Sequence, residues 1–236
     1  MRSRLAAIGV VLVVAAGAFV PVSRAGATTP PAKIDAKGIL QYGLDLTVSG
    51  AGGTIALDPT EISGSPFNVT PARLIYDTLV RLDADGNPHP GLATAWKFPD
   101  DRTIELTLRT GVKFQDGTAF NAAAVKAGLE RTLASGNPLL NKNFFELDSV
   151  EAVGDGTVRI HLKSPIVGAF FGLLSTKETF IPSPTAVKKE GSAFGQHPVG
   201  AGPYQLERFE PEQLIAVRKF KGFWQKRGWK LAGIDF

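Results

Sequence analysis

The 236-residue chain contains no cysteine. That single absence excludes disulfides, thiolate zinc sites, a cysteine nucleophile and a lipid-modified N-terminal cysteine. Histidine is also scarce, with three residues, His89, His161 and His197, each standing alone. None sits with another histidine or a carboxylate in a metal-ligand arrangement, the turn residue Asp85 four before His89 included. Acidic residues are missing altogether before Thr28, where Arg2, Arg4 and Arg24 account for three of the 26 Lys and Arg residues. From Thr28 onward 23 cations face 22 acids. The pI of about 9.3 therefore reflects the N-terminus, and the balanced body has no electrostatic footprint for a phosphate backbone. Nucleic acid is not an expected partner. No G-x-S-x-G elbow occurs, and Ser49–Gly53 lacks both the Lys-Ser/Thr of a phosphate loop and G-x-G-x-x-G spacing. Asp100-Asp101 and Glu210/Glu212 are carboxylate pairs in turn-like contexts, without an apolar pocket to raise a pKa. No enzyme signature and no cofactor motif emerges.

The first segment has the layout of an export signal. A basic start (Met1–Arg4) precedes the uncharged run Leu5–Val20, then Pro21 and the small-x-small triplet Ala25-Gly26-Ala27. The run is shorter than the roughly 20 residues that cross a bilayer core. Residues 1–27 are therefore read as a cleaved signal peptide, and the absence of a lipid anchor favours a periplasmic location over release from the cell.

The mature chain mixes strand and helix signals, an α/β or α+β pattern without repeats. Thr28–Lys33 is a polar, Pro-rich linker. Leu40, Tyr42, Leu44 and Leu46 alternate within Ile39–Leu46 and predict a strand. Ser49–Pro66 is a long Gly/Ser/Thr-rich loop, of a kind more often used for binding than as filler. Leu74, Ile75, Thr78, Leu79 and Leu82 predict an amphipathic helix over Pro71–Leu82, closed by the turn Asp85-Gly86-Asn87. Thr103–Leu108 alternates strictly, and Asn121 is placed to cap a helix over Ala122–Leu133. Val150–Val153, Gly154-Asp155-Gly156 and Val158–Leu162 form a predicted hairpin that leaves His161 on its outer face. Phe170–Leu174 reads as an apolar helix or buried run, Pro182–Pro184 opens a new segment, and Gln213–Lys219 reads as a strand.

Three blocks, in this order, carry a resemblance. The first is Leu57-Asp58-Pro59. The second runs from Leu79-Val-Arg-Leu-Asp83 through Leu92-Ala-Thr-Ala-Trp96, Asp100-Asp101, the strand Ile104–Leu108, Arg109-x-Gly111-Val112-x-Phe114-x-Asp116-Gly117 and Leu129-Glu130-Arg131. The third is Pro198-Val-Gly-Ala-Gly-Pro-Tyr204 with Phe220-Lys-Gly-Phe-Trp224. Together they resemble the extracellular solute-binding proteins that serve peptide and nickel ABC importers. Ala201 stands where Thr is usual and Phe220 where Asn is common.

The resemblance implies an α/β fold like the periplasmic binding proteins of type II: a dipeptide-binding-protein-like first lobe with an extra inserted subdomain. First-lobe pieces are expected at about 34–66 and 182–236, with the inserted subdomain at about 67–181. It also implies a chain that stops before its second lobe, because family members are considerably longer. Capture of oligopeptides or a related small solute, delivery to an inner-membrane permease and a monomeric state follow as expectations. A non-binding remnant or interaction module keeping only the scaffold is the alternative, and an exported hydrolase is disfavoured by the missing nucleophile. Most of the motif residues read as core or turn. The ligand-facing candidates are Asp58, Ser63, Ser65 and Phe67 in the long loop and Tyr204 after Gly-Pro, since loops carry binding. A pocket enclosing a ligand buries about 70–90% of its surface. A lone lobe keeping half the binding energy of a roughly 1 μM complex would bind at about 1 mM.

Overall fold

The computed structural model describes residues 35–43, 55–62, 65–211, 213–226 and 228–236. The proposed signal peptide, Leu44–Leu46 of the first predicted strand and Ser63 lie outside them. In chain order the elements are β1 (Ile39–Gln41), α1 (Pro66–Ile75), β2 (Val80–Leu82), β3 (Pro88–Pro90), β4 (Ala93–Asp100), β5 (Thr103–Leu108), α2 (Ala122–Ala134), β6 (Leu147–Val153), β7 (Thr157–Leu162), α3 (Val167–Leu173), α4 (Pro184–Glu190), β8 (Tyr204–Glu210), β9 (Leu214–Lys219) and β10 (Gly233–Asp235).

The alternating segments build an antiparallel sheet in the order β4-β5-β7-β6. Ile104 pairs with Ile160 and Leu106 with Val158, so the two apolar rows share one face. Against that face α2 lays Val125 and Leu129, both fully buried, with Leu133 half-buried at its end. Phe114, Phe144 and Phe170 fill the rest of this core. Asn121 caps α2 as expected, its Oδ1 accepting from Ala124 N at 3.0 Å. Replacing it by Ala leaves that N–H without its cap and is expected to cost about 1 kcal/mol, read as a lower urea midpoint at unchanged m-value. Gly154 (φ 63°) turns the β6–β7 hairpin, where Asp or Asn alone among other residues is tolerated.

A second sheet, ordered β1-β10-β9-β8, is antiparallel except for the parallel β1–β10 pair. Its core gathers Leu57, Ile62, Ile75, Tyr76, Phe180, Phe194, Tyr204 and Val217. Ala72, Ile75 and Tyr76 at the end of α1, and Phe180, thus pack with this sheet, although they fall within the 67–181 stretch expected to form the insertion.

Two elements differ from expectation. The helix predicted over Pro71–Leu82 begins earlier, with Pro66 in its first turn, and ends at Ile75. Beyond it Val80–Leu82 pairs with Pro88–Pro90, and Asp85-Gly86-Asn87 turns that hairpin rather than ending a helix. The backbone here is claimed from elsewhere. Val80 N donates to Leu174 O, while Thr78 O and Leu79 O accept from Leu92 N and Ala93 N. The same apolar spacing suits either state, and these distant hydrogen bonds decide it. In the first predicted strand, Leu40 and Tyr42 are 43% and 48% exposed, and β1 forms the sheet's edge beside β10. Trp96 is half-buried and leans on Phe171 with ring centroids 5.2 Å apart.

Candidate functional site

The loop that leads to the candidate residues is held from several sides. Asp58 folds its own turn, its Oδ1 accepting from Thr60 N (2.9 Å) and Thr60 Oγ1 (2.8 Å). Arg131, on the last turn of α2, donates Nη1 to Asp58 Oδ1 at 2.7 Å and Nη2 to Oδ2 at 2.6 Å. This two-pronged geometry is the strong form of a carboxylate–guanidinium pair. Burial by itself would raise the Asp58 pKa; the hydrogen bonds from Arg131 and Thr60 outweigh it and hold the carboxyl below its ordinary value. The same bonds push Arg131 up. Beside them Tyr76 donates its hydroxyl to Leu57 O at 2.9 Å, and Asn137 Nδ2 donates to Thr60 O at 2.9 Å. Burial, reinforced by the Asp58 charge, pushes the Tyr76 phenol well above its ordinary value.

Gln115 ties this region to the Gly-Pro-Tyr block. Its Nε2 donates to Ile75 O (2.9 Å) and Tyr204 O (2.7 Å), and its Oε1 accepts from Gly200 N at 2.9 Å. Gly200 and Gly202 make that contact possible. A Cβ on Gly200 would lie 2.3 Å from Ile75 O, and one on Gly202 2.5 Å from Leu74 O. Next to Gln115, Asp116 accepts from Ser183 Oγ at 2.5 Å and from Thr118 Oγ1 at 2.6 Å. Burial opposes ionisation there, but these donors keep the Asp116 carboxyl below its usual value.

The last block is tied in through Trp224. Its Nε1 donates to Asp77 Oδ2 at 2.9 Å, and Arg81 Nη2 reaches the same carboxylate oxygen at 2.8 Å. The Trp224 ring lies between two guanidinium groups, Arg109 at 3.9 Å and Arg81 at 5.1 Å from its centroid, within range of cation–π attraction. Beside Asp77 and Arg81 opens a cleft of about 530 Å³, walled also by Tyr76, Pro203 and Trp229, with Arg73 on its rim.

The five predicted residues have different fates. Both carboxylate oxygens of Asp58 are engaged by Arg131, so this residue shapes the loop instead of offering a free charge. Tyr204 is buried; its hydroxyl donates to Leu231 O at 3.2 Å and its ring meets Trp229 edge-on. It stands behind the cleft's wall. Ser65 precedes α1, and its carbonyl accepts from Asn68 N and Val69 N. Phe67 lies in the first turn of α1. Residues that sequence reasoning passed over hold the arrangement: Arg131, Gln115 and Asp77. The motif position of Arg131 was the available signal, while Gln115 falls at an unspecified position of the second block, and their partners lie 73 and 89 residues away. Among the described residues no group of three or more His, Asp or Glu is placed to hold a metal ion, and no helix is long and apolar enough to cross a membrane.

All three motif blocks thus converge through Gln115, Arg131 and Trp224. Residues 87–236 match the family described as bacterial extracellular solute-binding proteins, family 5 middle. The chain belongs to this family. Among curated relatives, the glutathione-binding protein GsiB of Salmonella typhimurium is 40% identical over 194 residues, which is 81% of this chain and 38% of the relative. Family 5 structures show the same architecture. The murein tripeptide binding protein MppA of Escherichia coli superposes with a TM-score of 0.72 at 22% identity, over 84% of this chain and 41% of that one. A nickel ABC transporter structure from Bacillus halodurans gives 0.65 at 30% identity, over 85% and 38%. The chain spans about two fifths of the length of these relatives.

Proposed function

We propose that this chain contributes the first-lobe scaffold of a periplasmic solute-binding component of an ABC importer. It captures oligopeptides or a related small peptidic solute and presents them to a membrane permease, without carrying out a reaction. The observation that supports the reading most is the convergence of the family's three blocks on one hydrogen-bonded frame, at 40% identity to a glutathione-binding relative. In this reading Met1–Ala27 directs export. Ser63, Ser65 and Phe67 meet the solute, while Asp58 with Arg131, and Tyr204 with Gln115, hold the loop and the wall behind it. Rigid support of this kind preorganises a binding loop and lowers the entropic cost of ligand capture.

The test is uptake. Deleting the gene in its host is expected to reduce accumulation of at least one labelled peptide among glutathione and a set of di- to pentapeptides at least tenfold, with recovery on complementation. Unchanged uptake of every member of the set would count against the proposal.

A further inference from the structure

Charge is unevenly placed along the chain. Gln213–Ile234 holds six of the 23 cations found from Thr28 onward and none of the 22 acids. The remainder therefore carries 17 cations against 22 acids, a separation that the balanced total conceals. The basic pole is the excursion between β9 and β10, residues 220–232, with its flanks. Arg218 at its base is neutralised by Glu207 at 2.9 Å and Asp235 at 2.6 Å. The lysines are not. Lys219, Lys221, Lys226 and Lys230 are exposed, and none has an ion-pair partner among the described residues. Lys219 Nζ donates only to a neutral group, Trp229 O.

The excursion is fixed to the body by its aromatic residues. Phe223 is buried, and its ring meets those of Trp224 and Trp229 at 5.4 and 6.0 Å between centroids. Trp224 is anchored in turn on Asp77. The rings are thus committed to packing, and the lysines are what the excursion presents. Lys219, Lys221 and Lys226 line one recess, so three ammonium stems stand on the same side of the molecule.

Three features choose the partner. The recess is about 70 Å³, well below the roughly 300–1,000 Å³ of small-molecule sites. Its cations are all lysines, whereas protein–protein interfaces are depleted in Lys and enriched in Arg. An ammonium is a compact, strongly hydrated charge, suited to attraction toward a surface without loss of its water. An anionic phospholipid surface is such a partner, and each lysine held near one strengthens binding about fivefold.

We propose that the excursion between β9 and β10 docks the chain on an anionic phospholipid membrane through Lys219, Lys221, Lys226 and Lys230. The contact is adsorption and not insertion, because the aromatic rings are turned inward. It does not depend on which solute the chain captures, or on capture at all.

Met1–Val20 has cations and an apolar run of its own, so the readout belongs on the patch itself. Lysine acetylation by a soluble reagent, followed by mass spectrometry on the whole chain, reports each position separately. Vesicles of phosphatidylglycerol and of phosphatidylcholine are the probes. At about 0.01 M salt, phosphatidylglycerol is expected to slow acetylation of Lys221, Lys226 and Lys230 at least fivefold relative to phosphatidylcholine. Lys142 and Lys188, exposed outside the patch, should react equally with both. The protection should vanish at about 1 M salt, where the Debye length falls from roughly 30 to 3 Å. When Lys221, Lys226 and Lys230 are all changed to Gln, protecting Lys219 should require at least ten times more lipid. Changing Lys113, Lys142 and Lys188 to Gln removes the same charge elsewhere and should leave that requirement unchanged. Equal rates with the two lipids, protection that survives high salt, or undiminished protection of Lys219 in the first triple variant would overturn the proposal. So would protection by poly-glutamate or duplex DNA without any by phosphatidylglycerol, which would assign the patch to a different polyanion.

Discussion

Gly202→Ala is expected to destabilise the fold by about 3 kcal/mol, at the upper end of overpacking costs. The added methyl would sit 2.5 Å from Leu74 O and 2.6 Å from both Ile75 C and Ile75 O. These are backbone atoms, so no side chain can swing away. Retreat of the segment would stretch the bond from Gly202 N to Ile75 O, now 2.8 Å, and disturb the Gln115 amide that bridges Ile75 O and Tyr204 O. The obstacle is space, not backbone conformation, since Gly202 does not occupy the left-handed region. Gly172→Ala provides the contrast. It lies within α3 with nothing within 4 Å of the added methyl, and should gain about 0.5–1 kcal/mol through helix propensity and a less flexible unfolded chain. Urea unfolding of the two variants beside the parent checks both signs. A neutral Gly202→Ala would mean that the contact between the Gly-Pro-Tyr block and α1 is looser than described.

The second large effect concerns the Asp58–Arg131 pair. Arg131→Met leaves a carboxylate that is 5% exposed without its cation, and a loss of about 3–5 kcal/mol is expected for one partner removed from a buried pair. Asp58→Asn combined with Arg131→Met removes the orphaned charge, so the double variant should lose less than the sum of the singles, a positive coupling in a double-mutant cycle. The pH dependence has a definite sign. The folded-state pKa of Asp58 lies below its unfolded value of about 3.9, so between the two the unfolded chain binds more protons and stability rises with pH. The pair's contribution is therefore complete above roughly pH 5 and is lost as pH falls through the folded-state pKa. In Arg131→Met the sign of this acid dependence should weaken or reverse. Additive losses in the cycle would show that the two side chains act independently.

Much of the framework was legible because its signals are local. Strict alternation at Ile104, Leu106 and Leu108, and again at Val158, Ile160 and Leu162, identifies two strands, and Asn121 marks the start of α2 from its own chemistry. Legibility failed where distant backbone decided the outcome. Leu74, Ile75, Thr78, Leu79 and Leu82 satisfy helical spacing, yet Val80–Leu82 is extended because Leu174 O, Leu92 N and Ala93 N claim its neighbourhood. The candidate site followed the same division. Asp58 in its loop and Tyr204 after Gly-Pro, at the start of β8, stand out in the sequence as side chains of a ligand-binding type. Nothing adjacent in sequence announced that Arg131 would take both oxygens of Asp58, or that the Tyr204 ring would turn under Trp229. A carboxylate or a phenol reads as a ligand group until its intramolecular partner is known, and those partners come from other blocks of the chain.

The most direct test of the central claim, that this scaffold serves to capture a peptidic solute, is isothermal titration of the complete product of the gene's reading frame. Glutathione and di- to pentapeptides would be injected at neutral pH. The account predicts a saturable one-to-one isotherm with at least one of them, weakened by Arg131→Met as the turn at Asp58, which leads to Ser63, Ser65 and Phe67, loosens. Absence of heat from every peptide up to millimolar concentration, with the protein folded by circular dichroism, would contradict it.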